Sequence, residues 1–252
     1  MDLGLHGKTA LVTGGARDVG AAIVRALAAE GASVAINYHR SAAAADALVA
    51  DLTAHGARAR AYRADVADYD AVTAMVAAAA KDFGGLDILV NNAGLVQRQW
   101  FADSGPDDWD RQIGIGLYGA IHCCHAAIPY MIARGDGRII SVVGDSSRIG
   151  EAGLSIGAAA RGGVLALTKS LAKELGRSAI TANAVALGLV ETSHIDHAWL
   201  EANRERITRL YPLRRLGRAD DVAPMVAFLA AAGAGWITGQ VLSINGGFSM
   251  AG

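Results

Sequence analysis

The stretch Lys8-Thr9-Ala10-Leu11-Val12-Thr13, followed by Gly14-Gly15-Ala16-Arg17-Asp18-Val19-Gly20, decides the fold. Its first half is a short apolar strand, and its second half is a glycine-rich turn opening into a helix over Val19 to Glu30. Glycines there permit a tight turn and close backbone approach, and a helix N-terminus attracts a pyrophosphate. The same alternation repeats downstream. Strands are expected at Ser33 to Tyr38, Arg58 to Arg63, Asp87 to Val90, Arg138 to Val143, Thr181 to Val185 and Gln240 to Ile244. Between them fall helices at Ala42 to His55, Tyr69 to Phe83, Asp107 to Ala133, Gly157 to Leu175 and Asp220 to Ala231. Continuously apolar strands separated by helices indicate a parallel sheet covered on both faces, the α/β class. No linker or low-complexity spacer divides residues 1–252, so one domain is expected, doubly wound and Rossmann-like. The polar segment 188–210 interrupts the alternation and reads as a substrate-covering lid.

Composition narrows the partners. The chain has 252 residues, 52% hydrophobic and 19% charged, which is too apolar for disorder. A formal charge of −1 supplies no basic field for a phosphate backbone, so nucleic acid is not expected. The opening MDLGLHGKTALV shows no basic region followed by an apolar one, and runs such as Ala74 to Ala80 stop well short of a membrane span. Cys123 and Cys124 are adjacent in an expected helix, where neighbouring side chains diverge by about 100°, which disfavours a disulfide and fits a reduced, cytoplasmic compartment.

Two further motifs join the glycine-rich turn: Asp65-Val66 after the third strand and Asn91-Asn92-Ala93-Gly94 after the fourth. All three lie at carboxyl ends of parallel strands, where open α/β sheets bind ligands. Together with Asn183-Ala184-Val185-Ala186-Leu187-Gly188, Thr192, Leu213 to Arg218, Thr238-Gly239-Gln240 and Asn245-Gly246-Gly247, this set resembles the short-chain dehydrogenase/reductase family over nearly the whole chain. The resemblance implies a sheet of about seven strands, a small-molecule substrate and NAD(P)(H). It also implies a homo-oligomer, tetramer or dimer, packed through the helices near 107–133 and 157–175. Gly14, Val19, Val66, Ala93 and Gly188 would then belong to the dinucleotide site. Asp65 would meet the adenine, Asn92 to Gly94 would support the ribose and the sheet, and Thr192 would touch the carboxamide. The second strand ends Asn37-Tyr38-His39-Arg40-Ser41 without an acid for the ribose hydroxyls. Arg17, His39 and Arg40 could face a 2′-phosphate, which favours NADP(H); the alternative is that the arginines are solvated surface charges.

The resemblance also exposes departures. Asp18 stands where the family pattern has glycine; its carboxylate would either crowd the diphosphate or cap the helix. The family's chemistry uses a Tyr and a Lys four residues apart, an upstream Ser, and an Asn in the long helix. Aligned on Gly163 to Glu174, these positions fall on Gly157, Arg161, Gly144 and Gly116, and no tyrosine lies between Tyr130 and Tyr211. Glycine donates no proton, and Arg161 cannot act as a titrating base although it can steady the ribose or an anionic oxygen. Replacement candidates are Asp145, Ser146, Ser147 and Arg148 after the fifth strand, Ser155, Gln97 to Gln99, and His197. His194 ranks first as a substitute general acid. His122 and His125 have helical metal-ligand spacing but read as packing residues, and no metal is expected. Three functions follow: an NADP(H)-binding reductase of a specific carbonyl working without the Tyr/Lys pair; a cofactor-independent lyase, isomerase or dehalogenase-like enzyme; or a non-catalytic ligand-binding or partner subunit.

Overall fold

A computed structural model describes residues 2–251 and joins seven parallel strands into one sheet in the order β3-β2-β1-β4-β5-β6-β7. The strands are β1 Thr9–Val12, β2 Ser33–Tyr38, β3 Ala59–Arg63, β4 Ile88–Asn91, β5 Gly137–Gly144, β6 Ile180–Leu187 and β7 Val241–Ile244. Register is set by apolar partners such as Leu11 opposite Ala35 on one side and Leu89 on the other. The order reverses between β1 and β4, and that reversal leaves a crevice beyond the carboxyl ends of the strands.

Side chains alternate across each strand and feed two separate cores. Val12, Val34, Ile36, Ile88 and Val90 pack with helices α1 Asp18–Ala29, α2 Ala42–Ala54 and α9 Ala219–Ala230, through Ile23, Leu27, Leu48 and Val226. Leu11, Ala35, Leu89 and Ile139 face the other way, onto α3 Tyr69–Phe83, α5 Gly119–Arg134 and α7 Ser155–Leu175, through Val76, Met131 and Leu171. Local signals set the helix ends. In α3, the Asp68 carboxylate accepts from the Ala71 amide at 3.0 Å, and Gly84 closes the helix at φ 81°.

The structure corrects three expectations. The long helix near 107–133 is not uniform: α4 Pro106–Ile113 runs into a π turn, Gly114–Tyr118, before α5. Glycines at 114, 116 and 119 permit that widening, and the Gly119 backbone lies so close to Val66 that an added Cβ would fall 2.8 Å from it. Segment 188–210 is not irregular throughout, because α8 His197–Thr208 forms there, capped by the Asp196 carboxylate on the Trp199 amide. Finally, Pro106–Arg134 is one helical stretch long and apolar enough to cross a bilayer by length and composition. Here its buried face, Gly119, Ala120, Cys123, Cys124, Ala127 and Met131, serves the core instead.

Between β5 and α7 lies the short α6 Ser146–Ile149. His122 meets the Val66 carbonyl through Nδ1 at 3.0 Å, and His125 Nδ1 meets the Tyr69 hydroxyl at 2.9 Å, so both rings join α5 to the segment around α3. Cys123 and Cys124 are buried and free.

Candidate active site

The glycine-rich turn is fastened from three sides. Gly14 adopts φ +59°, and a Cβ there would fall 3.1 Å from the Ala93 Cα. Gly20 cannot carry a side chain, since its Cβ would lie 2.3 Å from the Gly14 carbonyl oxygen. The Asn92 amide donates to the carbonyls of Thr13 at 2.9 Å and Gly14 at 3.1 Å, while Thr13 Oγ1 accepts from the amides of Asn92 and Ala93, both at 3.0 Å. Asn37 supplies the third side: Oδ1 accepts from the Gly14 amide at 3.1 Å, and Nδ2 donates to the Ala64 carbonyl at 3.0 Å. Sequence reasoning missed Asn37, although a polar residue inside the apolar run Ser33 to Tyr38 was the available signal.

The amides of Asp18, Val19 and Gly20, at the N-terminus of α1, meet no acceptor among the described residues. A tight glycine turn aiming free amides into the crevice fits a dinucleotide diphosphate. His39 and Arg40 are exposed at the end of β2, with His39 Nδ1 3.5 Å from Asp65 Oδ2. Val66 is buried below Asp65. Gly188 follows β6, where a Cβ would press 3.0 Å from the Tyr211 ring, and Thr192 lies partly buried near the start of segment 188–210.

Asp18 adopts neither of the two expected arrangements in pure form. It takes φ +51°, and its carboxylate accepts from the Ser193 amide at 2.7 Å and the Ser193 hydroxyl at 2.8 Å. Beside it, Arg17 Nη2 lies 3.1 Å from His194 Nε2. Segment 188–210 is therefore fastened to the glycine-rich turn by two neighbouring side chains, and His194 is engaged with Arg17 there.

A second centre forms around Arg161. A Cβ placed on Gly94 would fall 2.9 Å from Arg161 Nη2, and one on Gly144 would fall 3.7 Å from Nη1. The same Gly144 point lies 3.4 Å from Ser146 Oγ. Gly116 faces Ala160, and Gly157 faces Gln112 Oε1 at 3.3 Å. The structure thus brings together Gly94, Gly144, Ser146 and Arg161. The Arg161 guanidinium makes no ion pair and no hydrogen bond within the described residues, and burial holds its pKa below the ordinary guanidinium value. Ser146 is 8% exposed, and its hydroxyl makes no hydrogen bond to another described residue.

Other candidates are engaged elsewhere. Asp145 is 2% exposed and turns toward the C-terminal segment, where Oδ2 accepts from Ser249 Oγ at 2.8 Å and from Asn245 Nδ2. Ser147 Oγ donates to the Gly144 carbonyl at 2.6 Å. Arg148 bonds Ser243 Oγ and the Ala251 carbonyl, and Arg98 bonds Glu151 and the Ala152 carbonyl. Ser155 and His197 are exposed at the starts of α7 and α8. Gln97 reaches Gln99 and Asp108. Gln112 was not foreseen: it is 3% exposed, and no sequence signal separates it from its exposed neighbours in α4.

A family model described as enoyl-(acyl carrier protein) reductase matches residues 14–249. A 3-oxoacyl-[acyl-carrier-protein] reductase of Staphylococcus aureus is 40% identical over 243 residues, covering 96% of this chain and 98% of the relative. The chain belongs to the short-chain dehydrogenase/reductase family. Solved members agree in shape. A variant of a Serratia marcescens short-chain dehydrogenase/reductase superposes with TM-score 0.90 at 37% identity, covering 98% of this chain and 99% of that one. A blue fluorescent protein from a metagenomic library, solved in complex with NADPH, gives TM-score 0.90 at 38% identity with the same coverage. As a short-chain dehydrogenase/reductase, the chain is an oxidoreductase by type.

Proposed function

We propose that the chain binds NADP(H) and reduces a particular carbonyl compound without a tyrosine–lysine proton relay. The observation that carries this reading is the uncompensated Arg161 guanidinium near Ser146 Oγ; the resemblance aligns Gly116, Gly144 and Gly157 with the family's Asn, Ser and Tyr. The bound dinucleotide supplies a hydride to the carbonyl carbon. The chain's own task is to stabilise the oxygen that gains charge. Arg161 and the Ser146 hydroxyl can both donate to it, and one such donor is worth ~3–4 kcal/mol in acyl-transfer sites. Water supplies the proton, so the ~10²–10⁴-fold contribution of a positioned general acid is forgone. Free amides at Asp18, Val19 and Gly20 would take the diphosphate, and Arg17, His39 and Arg40 the 2′-phosphate. The NADPH-bound relative supports that cofactor choice. The same family membership supports a homo-oligomer, for which α5 and α7 carry the expected faces.

Fluorescence titration with NADPH and NADH, followed by NADPH oxidation over a panel of simple ketones and oxo acids, tests the reading. Tight NADPH binding, slow or absent turnover of simple ketones, and turnover of a narrow substrate class dependent on Arg161 are expected. Rapid turnover of simple ketones, unaffected by Arg161→Ala or His194→Ala, would reject it. The Asp18–Ser193 fastening favours a second reading, a cofactor-independent enzyme or ligand-binding subunit, in which the lid rests on the turn with no dinucleotide present. Failure to bind either dinucleotide selects that one.

A further inference from the structure

Arg161 presents an electrostatic problem that the protein itself does not solve. A guanidinium partly withdrawn from water favours a counter-charge, because unpaired charge in a low-dielectric site is costly. Nearby carboxylates pair with other groups: Asp18 with Ser193, Asp65 with the Ala67 amide, Asp108 with Gln97, and Asp145 through Oδ2 with Asn245 and Ser249 while its buried Oδ1 has no partner among the described residues. Resting on the reductase reading, we propose that the space in front of Arg161 is a carboxylate subsite, and that the substrate is a short oxo acid whose carboxylate neutralises this guanidinium.

Three features give the subsite its chemistry. The guanidinium keeps its charge at any physiological pH and offers parallel donors, a geometry that matches a carboxylate better than a lone carbonyl oxygen or a ribose hydroxyl. Its two terminal nitrogens lie against positions without side chains, Gly94 at Nη2 and Gly144 at Nη1, so no side chain at either position covers the fork. Ser146 Oγ borders the same Gly144 point and makes no hydrogen bond to another described residue, which provides a donor beside the cation. In a short oxo acid the keto carbon is one or two bonds from the carboxylate. The group that anchors on Arg161 thereby holds the carbonyl beside Ser146, and a neutral ketone of equal size lacks that anchor.

The test uses the full-length protein at constant ionic strength with acetoacetate, pyruvate, ethyl acetoacetate, acetone and chloride as probes. Binding is followed by thermal shift and by tryptophan fluorescence, since Trp100 and Trp109 border the crevice-side loop around 97–104. NADPH affinity is measured separately on every variant. Saturable binding of acetoacetate or pyruvate is expected, with the neutral ester and acetone binding at least about tenfold more weakly. Arg161→Gln should lose oxo-acid binding about tenfold or more while NADPH affinity changes less than about twofold, and Arg161→Lys should recover only part of it. Equal binding of ester and acid overturns the proposal, as does an oxo-acid affinity unaltered in Arg161→Gln. So does chloride competing as well as acetoacetate, or a loss in Arg161→Gln confined to NADPH, which would make Arg161 a ribose contact. If Arg161→Gln does not fold, the wild-type preference for acid over ester and the weakened binding expected of Ser146→Ala decide the matter. Oxo acid bound but NADPH neither bound nor oxidised would reject the reductase reading while leaving the subsite standing.

Discussion

Replacing Asp18 by glycine should tighten NADPH binding about tenfold while leaving the protein's stability nearly unchanged. Two opposing contributions act on stability. Asp18 adopts φ +51°, a left-handed conformation that costs a residue with a Cβ ~1–2 kcal/mol and that glycine adopts freely. Against that, the substitution loses the two hydrogen bonds from Ser193, at 2.7 and 2.8 Å, each worth ~0.5–1 kcal/mol net at an exposed position. The two nearly cancel, so Tm should move by only a few degrees. Dinucleotide affinity has no such cancellation. The Asp18 carboxylate sits at the first residue of α1, beside the free amides that would take the diphosphate, and like charges a few ångströms apart in a wet crevice repel by ~0.5–1 kcal/mol per phosphate charge. Two such charges give ~1–2 kcal/mol, or about 5- to 30-fold in Kd. Asp18→Asn separates charge from fastening: it keeps the side-chain shape and a Ser193 acceptor but not the charge, so it should recover most of the gain. Fluorescence titration of the three proteins at low and high salt is the assay, and the difference should shrink as salt rises. An unchanged or weaker NADPH affinity in Asp18→Gly would refute the repulsion argument. It would mean that the lid contact assists the cofactor instead of competing with it.

Two other outcomes follow from the structure. Arg40→Ala should weaken NADPH about tenfold and leave NADH unchanged, since Arg40 is exposed at the end of β2 where a 2′-phosphate would lie; equal losses for both cofactors would make Arg40 a plain surface charge. Arg215 donates two hydrogen bonds to Asp221, and with the Arg218 amide it pulls the Asp221 pKa down to about 2. A depressed carboxylate pKa contributes stability that is full above the unfolded value near 3.8 and is lost as pH falls toward 2. Acid denaturation followed by circular dichroism should therefore flatten between those values in Asp221→Asn, and an unaltered acid limb would show that the pair contributes nothing there.

The strands were legible because burial on both faces leaves a simple record. Leu11 and Val12 are adjacent, both apolar, and belong to different cores, as do Ala35 and Ile36. That pattern has few readings other than a central parallel strand. The glycine-rich turn was legible for a similar reason, since Gly14 and Gly20 meet steric demands that only glycine satisfies. Helix α8 was not, because HAWLEANRERIT buries Leu200 alone and so carries no amphipathic stripe. Nor were the contacts of Asp18 and His194, which pair with residues about 175 positions away in the chain and leave no local trace.

Position 161 shows what a sequence can state before any contact is known. At the place where the family has a lysine, its positive charge favours the deprotonated form of a neighbouring tyrosine and so lowers that tyrosine's pKa. Arginine in the same surroundings stays charged even with its pKa drawn down by burial. On the proposed reading Gly157 stands in place of the tyrosine and offers no proton partner, and Gly144 in place of the serine puts no side chain between Arg161 Nη1 and Ser146 Oγ. On the proposed reading the three residues are consistent with one another: they would exchange a site that moves a proton for one that holds a permanent positive charge. Such a site would discriminate by the charge of what enters. A neutral side chain at 161 would avoid the desolvation cost of a half-buried, unpaired cation, so the charge itself is what the proposed site retains.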